Sequence, residues 1–373
     1  MSITKLRLIY LSVCLILFST SALPQAPIVL KRADLMRTGG TAEAPIRYLD
    51  GDVWITQDTL SVTCEHATYE EAIGRLFFED NVHLVEPSRQ IWADQTTYYE
   101  KSGRAVADGN VKIDQDSIII YCNRVIYNEN REDAFFFGNV RIFSTTDDAV
   151  ITGEHGVYNR PDERGVMTQD PRMVNYTEEG DSMVVVGMLI EYLFAEKQAI
   201  VTDSVHMFRE DFEGWGQKLY YWDASECARL TGDPILQQGR DVLTADSVDA
   251  FFEDQKLKRV ILIGQALVTS PLDSLEMRPF NLMSGHYMEM TFREGEVDSV
   301  YVRGNATSIY YIREDTGEKG ANKVSGDLID MFIKDGQIDW IYVEGGTEGT
   351  YYPERLEERL STECEEIIAR RRR

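Results

Sequence analysis

Along most of its length the chain alternates apolar and polar positions with a period of two, in runs that end on turn residues. That period predicts half-buried β-strands rather than helices. Three consecutive stretches align without gaps. Cys64-Glu65-His66-Ala67-Thr68-Tyr69 leads to Asp80-Asn81-Val82-His83-Leu84, and Ala93-Asp94-Gln95-Thr96-Thr97-Tyr98 leads to Gly109-Asn110-Val111-Lys112-Ile113. Cys122-Asn123-Arg124-Val125-Ile126-Tyr127 leads to Gly138-Asn139-Val140-Arg141-Ile142. Tyr69, Tyr98 and Tyr127 recur every 29 residues, as do Val82, Val111 and Val140.

The same pattern continues with looser spacing through Gly153 to Tyr158, Gly187 to Tyr192, Gly216 to Tyr221 and Ala245 to Phe251. Two longer copies start at Gly285 and Gly326. About nine units result, each a strand ending on an aromatic, a turn, and a second apolar stretch interrupted by a Gly-Asn type pair that permits positive φ or a bulge, with a short strand after it. Two strands in about 30 residues leave no room for an ordinary helix, and a unit so small must stack on its neighbours to bury its apolar face. The expected fold is therefore all-β: an elongated antiparallel jellyroll or solenoid, its strands folded into two facing sheets with an apolar seam. A parallel β-helix is the alternative, and hairpin-spaced turn residues such as Lys101-Ser102-Gly103-Arg104 argue against it.

Two segments depart from the strand pattern. Lys5 and Arg7 followed by the apolar run Leu8 to Phe18 and the small residues Ser19 to Ala22 read as an export signal over 1–22, short for a membrane-spanning anchor, and either cleaved after Ala22 or retained as an anchor. After Pro353, Leu356, Leu360, Cys364 and Ile367 share one helical face, predicting a short charged helix over 353–373 that either plugs the end of the stack or docks a partner. Between them lie an entry segment, 23–44, and a repeat domain, 45–352, divisible into modules at 45–180 and 181–352.

Charge and composition narrow the function. The formal net charge is −25, and loss of Lys5 and Arg7 with the signal would leave about −27. Such a chain lacks the basic stripes that nucleic acid needs, so nucleic-acid binding is excluded. The five histidines, His66, His83, His155, His206 and His286, have no metal-ligand spacing, so no metal or other cofactor is expected. Acidic clusters at 114–116 and 145–148 fall at turns, where Asp bonds its own backbone, and no nucleophile motif is present. No enzymatic activity is expected. Cys64 and Cys122 occupy one repeat slot two units apart, too distant for a disulfide if strands stack at about 4.8 Å. The disulfide state of Cys227 and Cys364 stays open.

The small-acidic-x-x-x-aromatic strand followed by Gly-Asn-Val-x-Ile, clearest over 64–142, resembles the OstA-like family. These are the β-jellyroll modules of lipopolysaccharide transport that include LptA and the N-terminal part of LptD. The stretches Val302-Arg303-Gly304-Asn305-Ala306 and Gly345 to Pro353 share the resemblance, which covers roughly 45–352. It implies a periplasmic, lipid-binding bridge or scaffold for lipopolysaccharide transport and outer-membrane assembly. Its modules would join end to end, or to other envelope lipid-transport components, by edge-strand pairing. The chain departs from the pattern in its length and in its negative charge, which would repel phosphorylated head groups without divalent cations.

Candidate lipid contacts are the apolar pairs after each turn: Val82 and Leu84, Val111 and Ile113, Val140 and Ile142, Val205 and Met207. Period-two geometry puts both members of a pair on one face, while His83, Lys112, Arg141 and His206 between them face water. These apolar residues either pack on each other as core or line a groove. The competing function is a structural or adhesive β-solenoid whose core is filled by side chains; a carbohydrate-active β-helix would need paired carboxylates on neighbouring repeats.

Overall fold

The computed structural model describes residues 27–371, apart from 116, 145–148, 177–181, 210–211, 254–255, 273–279, 314–318 and 335–336. The export segment 1–22 and the acidic residues at 116 and 145–148 therefore lie outside the described residues. What is described is antiparallel β-structure with one α-helix near the C-terminus. The chain divides into two compact units, one ending at Ala199 and the other beginning at Ile200.

The first unit contains β1 (Val29–Arg32), β2 (Leu35–Gly40), β3 (Pro45–Gln57), β4 (Leu60–Glu70), β5 (Arg75–Glu86), β6 (Arg89–Tyr99) and β7 (Arg104–Gln115). It continues through β8 (Ile118–Asn128), β9 (Asp133–Ser144), β10 (Ala149–Asn159), β11 (Arg164–Thr168), β12 (Arg172–Tyr176), β13 (Ser182–Val186) and β14 (Leu189–Leu193). From β3 to β10 each strand pairs antiparallel with the next. The segment after a Gly-Asn pair is not a separate short strand, as the sequence suggested. One strand of 12 residues runs through the pair in β7 and again in β9.

The pair is a bulge of two left-handed residues. Gly109 and Asn110 have φ of 76° and 48°, Gly138 and Asn139 72° and 50°, and Asp80 and Asn81 61° and 54°. The ladder slips at each of them, between Glu79 and Val82 on β5 and between Asp108 and Val111 on β7. A bulge bends its strand. Residues on both sides of the bend then share one core, in which Ala67, Leu76 and Phe78 join Val53, Ile55, Val62 and Val82. Two facing layers are thus made from single strands folded across their middles.

The small-acidic dipeptide of each repeat has its explanation at this crease. Its small residue sits opposite the first residue after a bulge: Cys64 opposite Val53, Ala93 opposite Val82, Cys122 opposite Val111, Gly153 opposite Val140. Its polar residue lies against the neighbouring bulge. Asp94 accepts a hydrogen bond from Asn110 Nδ2 at 2.9 Å, and Glu154 accepts one from the Asn139 backbone N–H at 3.2 Å. The repeat tyrosines tie successive units together, since the Tyr69 hydroxyl donates to Glu100 and that of Tyr98 to Glu129, both at 3.2 Å.

The second unit opens with β15 (Gln198–Arg209), β16 (Phe212–Trp222), β17 (Cys227–Thr231), β18 (Ile235–Gln238), β19 (Asp241–Thr244) and β20 (Ser247–Glu253). Longer strands follow: β21 (Lys256–Pro271), β22 (Phe280–Arg293), β23 (Glu296–Arg313), β24 (Lys319–Lys334), β25 (Gln337–Glu344) and β26 (Glu348–Pro353). The same bulge recurs at Asp203-Ser204, Gly232-Asp233, Gly264-Gln265 and Gly304-Asn305. A short turn from Glu354 to Leu356 leads into α1 (Glu357–Arg371). Leu360 and Cys364 of α1 are fully buried against Leu267, Leu282, Ile309, Tyr311 and Ala321. Lys323 pairs with Glu363 at the margin of that contact.

Candidate functional site

The inner face of the first unit is one surface with two fillings. Over β3 to β6 the seam is closed by side chains: Val82 is buried, and Leu84 packs on the same cluster as Phe78 and Tyr98. Further along, an apolar cavity opens between the layers. It is partly open, has a volume of about 60 Å³, and is walled by β8, β9, β10, β11, β14 and the adjoining Phe194. Ile120, Ile142 and Ile151 form the wall on one side of the bulges, and Phe136, Tyr158, Met167 and Tyr192 lie on the other.

Two glycines account for the space. Gly156 stands beside Phe136 and Met167, and Gly165 lies opposite Tyr158 and Tyr192. The slot of Gly156 carries Ala67, Thr96 and Val125 in other repeats, and that of Gly165 carries Leu76, Ala105 and Ala134. A Cβ on Gly165 would meet only the Phe194 ring, at 3.5 and 3.7 Å. The aromatic wall is held edge to face: Phe194 meets Tyr192 at 4.8 Å and Tyr158 at 5.8 Å between ring centroids.

Of the eight candidate contacts, Ile142 lines the cavity. Val111, Ile113 and Val140 are buried on the same inner face beside it, and Val82 and Leu84 belong to the closed part. Val205 and Met207 are in the second unit, Val205 buried and Met207 packed near Gly214. The cavity's aromatic wall was not among the candidates. Its signal in the sequence was the pair Gly156 and Gly165 at places where other repeats carry a side chain.

The residues between the apolar pairs point outward, but not simply into water. His83 stacks on Trp92 at 4.7 Å, and the Lys112 ammonium lies over the same Trp92 ring, 4.6 Å from its centroid. In the second unit His206 stacks on Trp215 at 5.2 Å and pairs with Glu213 at 3.2 Å. Arg141 is exposed.

Among the described residues no group of three or more His, Cys, Asp or Glu could hold a metal ion. Cys64, Cys122, Cys227 and Cys364 are free and buried. Burial pushes the Cys64 and Cys122 thiols up to about 12 and that of Cys364 to about 11. Such thiols are inert rather than nucleophilic. One charged pair is taken inside: the Arg89 guanidinium is buried against Glu86, and its burial lowers its pKa.

Each unit has strands paired on one side only among the described residues. Among the described pairings, β1 and β2 pair with β3 alone, and β25 and β26 with β24 alone. Leu35 and Met36 on β2 are 51% and 54% exposed, and Trp340 on β25 is 48% exposed. No described helix is long and apolar enough to cross a membrane.

Residues 90–256 match the family described as LptA/(LptD N-terminal domain) LPS transport protein. The resemblance carried by the repeat motif is thus shown over that stretch. Among solved structures, the chain is similar to LptH, the LptA homologous periplasmic component of the lipopolysaccharide transport device from Pseudomonas aeruginosa. The identity is 14%, covering 28% of this chain and 76% of LptH, with a TM-score of 0.26. The WD40 domain of SCAP from fission yeast is matched at 8% identity over 86% of this chain and 90% of that domain, with a TM-score of 0.13. No curated protein matches the chain.

Proposed function

We propose that this chain takes part in lipopolysaccharide transport at the cell envelope, as a non-catalytic periplasmic bridge that shelters acyl chains between its two strand layers. The family match over 90–256 supports the transport role. The single observation that carries the lipid reading is the apolar cavity bounded by Ile142, Phe136, Met167 and Tyr192. A core that existed only to hold the strands together would close there, because an apolar void forfeits packing contacts. Energy for movement would come from a partner machine. The open edges of β1, β2, β25 and β26 would join it to like modules by strand addition.

A photoreactive residue placed at Ile142 tests this in cells. The expected result is crosslinking to lipopolysaccharide from Ile142 and none from the outward Lys112. Labelling at Lys112 alone would count against the cavity. The filled seam between β3 and β6 favours the second reading, a purely structural solenoid. Native mass spectrometry separates the two, since only a sheltering protein retains lipid through purification. For the edges, proline introduced at Met36 or Ile341 should abolish assembly with like modules and spare the lipid crosslink.

A further inference from the structure

The outer faces of the two units differ at matching positions. In the second unit Ile309, the fourth residue after the Gly304-Asn305 bulge, pairs with Leu282 on one side and Lys323 on the other. α1 lies across this row. Leu360 and Cys364 cover it so closely that Leu282 and Ile309 are 2% and 1% exposed, and the Lys323 ammonium reaches Glu363 on the flank of the helix.

In the first unit the same slot is Phe143, the fourth residue after Gly138-Asn139. Phe143 pairs with Ile119 and with Val150, and Val150 pairs with Val174. All four side chains are apolar, as beneath α1, yet they are partly exposed. Asp114, which ends this row beyond Ile119, is held by Lys112 at 3.4 Å. A second outward row runs beside the first, two residues nearer the bulges. In it Tyr121 pairs with Arg141, Arg141 with Thr152, and Thr152 with Arg172. Tyr121 is 40% exposed and meets Phe143 edge to face, so the two rows form one surface. Arg141 and Arg172 are exposed. In a chain of net charge −25, this border of the apolar strip is cationic.

We infer that this strip docks an acidic amphipathic helix of a partner protein, in the way that the second unit docks α1. The apolar stripe of such a helix covers Ile119, Phe143, Val150 and Val174. Carboxylates on its flank meet Arg141 and Arg172 as Glu363 meets Lys323. Burial of the apolar row supplies the attraction, and the arginines select the sign of the partner. Two other occupants fit less well. A second copy laid face to face would bring arginine rows together, and an anionic membrane would be repelled by the rest of a strongly acidic surface. The strip faces away from the cavity, so the inference stands apart from lipid sheltering.

The probe is a fluorescein-labelled peptide of residues 354–369 carrying Cys364→Ala, which has six glutamates and two arginines. It is titrated against the full chain by fluorescence anisotropy. The wild type should bind it, and Arg141→Glu/Arg172→Glu should weaken binding about tenfold. Both arginines are exposed, so that variant keeps the fold. Phe143→Ser should weaken binding by a similar factor through the apolar row. Equal affinity for the wild type and the arginine variant would place the peptide elsewhere, for instance in exchange for α1, and overturn the inference. Absence of binding to the wild type would do the same. Wild-type protein that sediments with phosphatidylglycerol vesicles and leaves the peptide free would give the strip to a membrane instead.

Discussion

Phe78 and Phe136 are the same residue of the repeat, two units apart, and they live in different interiors. Phe78 packs into a closed cluster with Ala67, Leu76 and Val82, and the tyrosines Tyr69 and Tyr98 seal it. Phe136 stands on the wall of a cavity because its cross-strand neighbour is Gly156. The backbone is shared, bulges included. What differs is side-chain volume on one face. A strand that bends at its middle provides two facing layers, and only the residues at the facing positions decide whether the space between them is protein or room for a guest.

The largest expected effect breaks this comparison directly. Phe78→Ala should cost about 3–5 kcal/mol, the usual range for deleting a packed aromatic. Phe136→Ala should cost about 1–2 kcal/mol less, because part of its ring faces empty space and loses no contacts there. Urea denaturation of both variants reads the difference. Equal costs would mean that the two interiors are packed alike.

Alkaline titration probes the crease that both regions share. Cys64 and Cys122 face Val53 and Val111 there, and burial holds their thiols at about 12 against an ordinary 9.0. The folded state binds those protons more tightly than the unfolded chain. Their contribution is therefore complete below pH 9 and is lost as pH rises towards 12, at about 1.4 kcal/mol per unit for each thiol. Alanine fills the same slot at Ala93. Between pH 8 and pH 10 the wild type should lose about 2–3 kcal/mol more than the Cys64→Ala/Cys122→Ala variant. Matching losses would place those thiols in water.

The bulge that creates the two layers is the next target. Gly109 has φ of 76°, and a Cβ there would lie 2.2 Å from Asp94 Oδ2. Gly109→Ala should cost about 1–3 kcal/mol in strain. Adding Asp94→Ala should recover part of it by clearing the clash, as a thermal melt of the double variant would show. Full destabilisation in the double variant would put the cost in backbone conformation alone.

Much of this fold was legible in the sequence. Tyrosines and valines every 29 residues fixed the stacking period, and the Gly-Asn pairs marked the bulges now seen at Gly109, Asn110, Gly138 and Asn139. Period-two parity correctly put Val111 and Val140 on the inner face. It misjudged the outer one, where His83 covers Trp92 instead of simply meeting solvent. The length of the strands was hidden because a bulge and a strand end use the same residues. The cavity was hidden for a deeper reason. Parity says which side chains point inward but not what the facing layer brings to meet them, and Ile142 reads the same whether an aromatic or a glycine stands across from it. The same limit separates two outer faces. Leu267, Leu282, Ile309 and Tyr311 are apolar and carry α1, whereas the corresponding face over β5 to β8 holds His83 and Lys112 packed on Trp92, and Tyr121 edge to face with Phe143.

The smallest expected effect decides most about function. Gly165 has no positive φ, and a Cβ on it would find the Phe194 ring at ordinary contact distance. Gly156 is tighter, with Phe136 carbons at 3.3 and 3.4 Å. Gly165→Ala should therefore stabilise the protein by about 0.5–1 kcal/mol, chiefly by restricting the unfolded chain. A position where a commonplace substitution adds stability, yet which keeps glycine, fits a protein that gives up packing for room. Gly165→Leu carries the same test further by pushing a side chain into the cavity. It should reduce lipid crosslinking from Ile142 while leaving the melting temperature near that of wild type. Undiminished labelling from Ile142 in a folded Gly165→Leu protein would move the lipid elsewhere and leave the cavity as a packing defect.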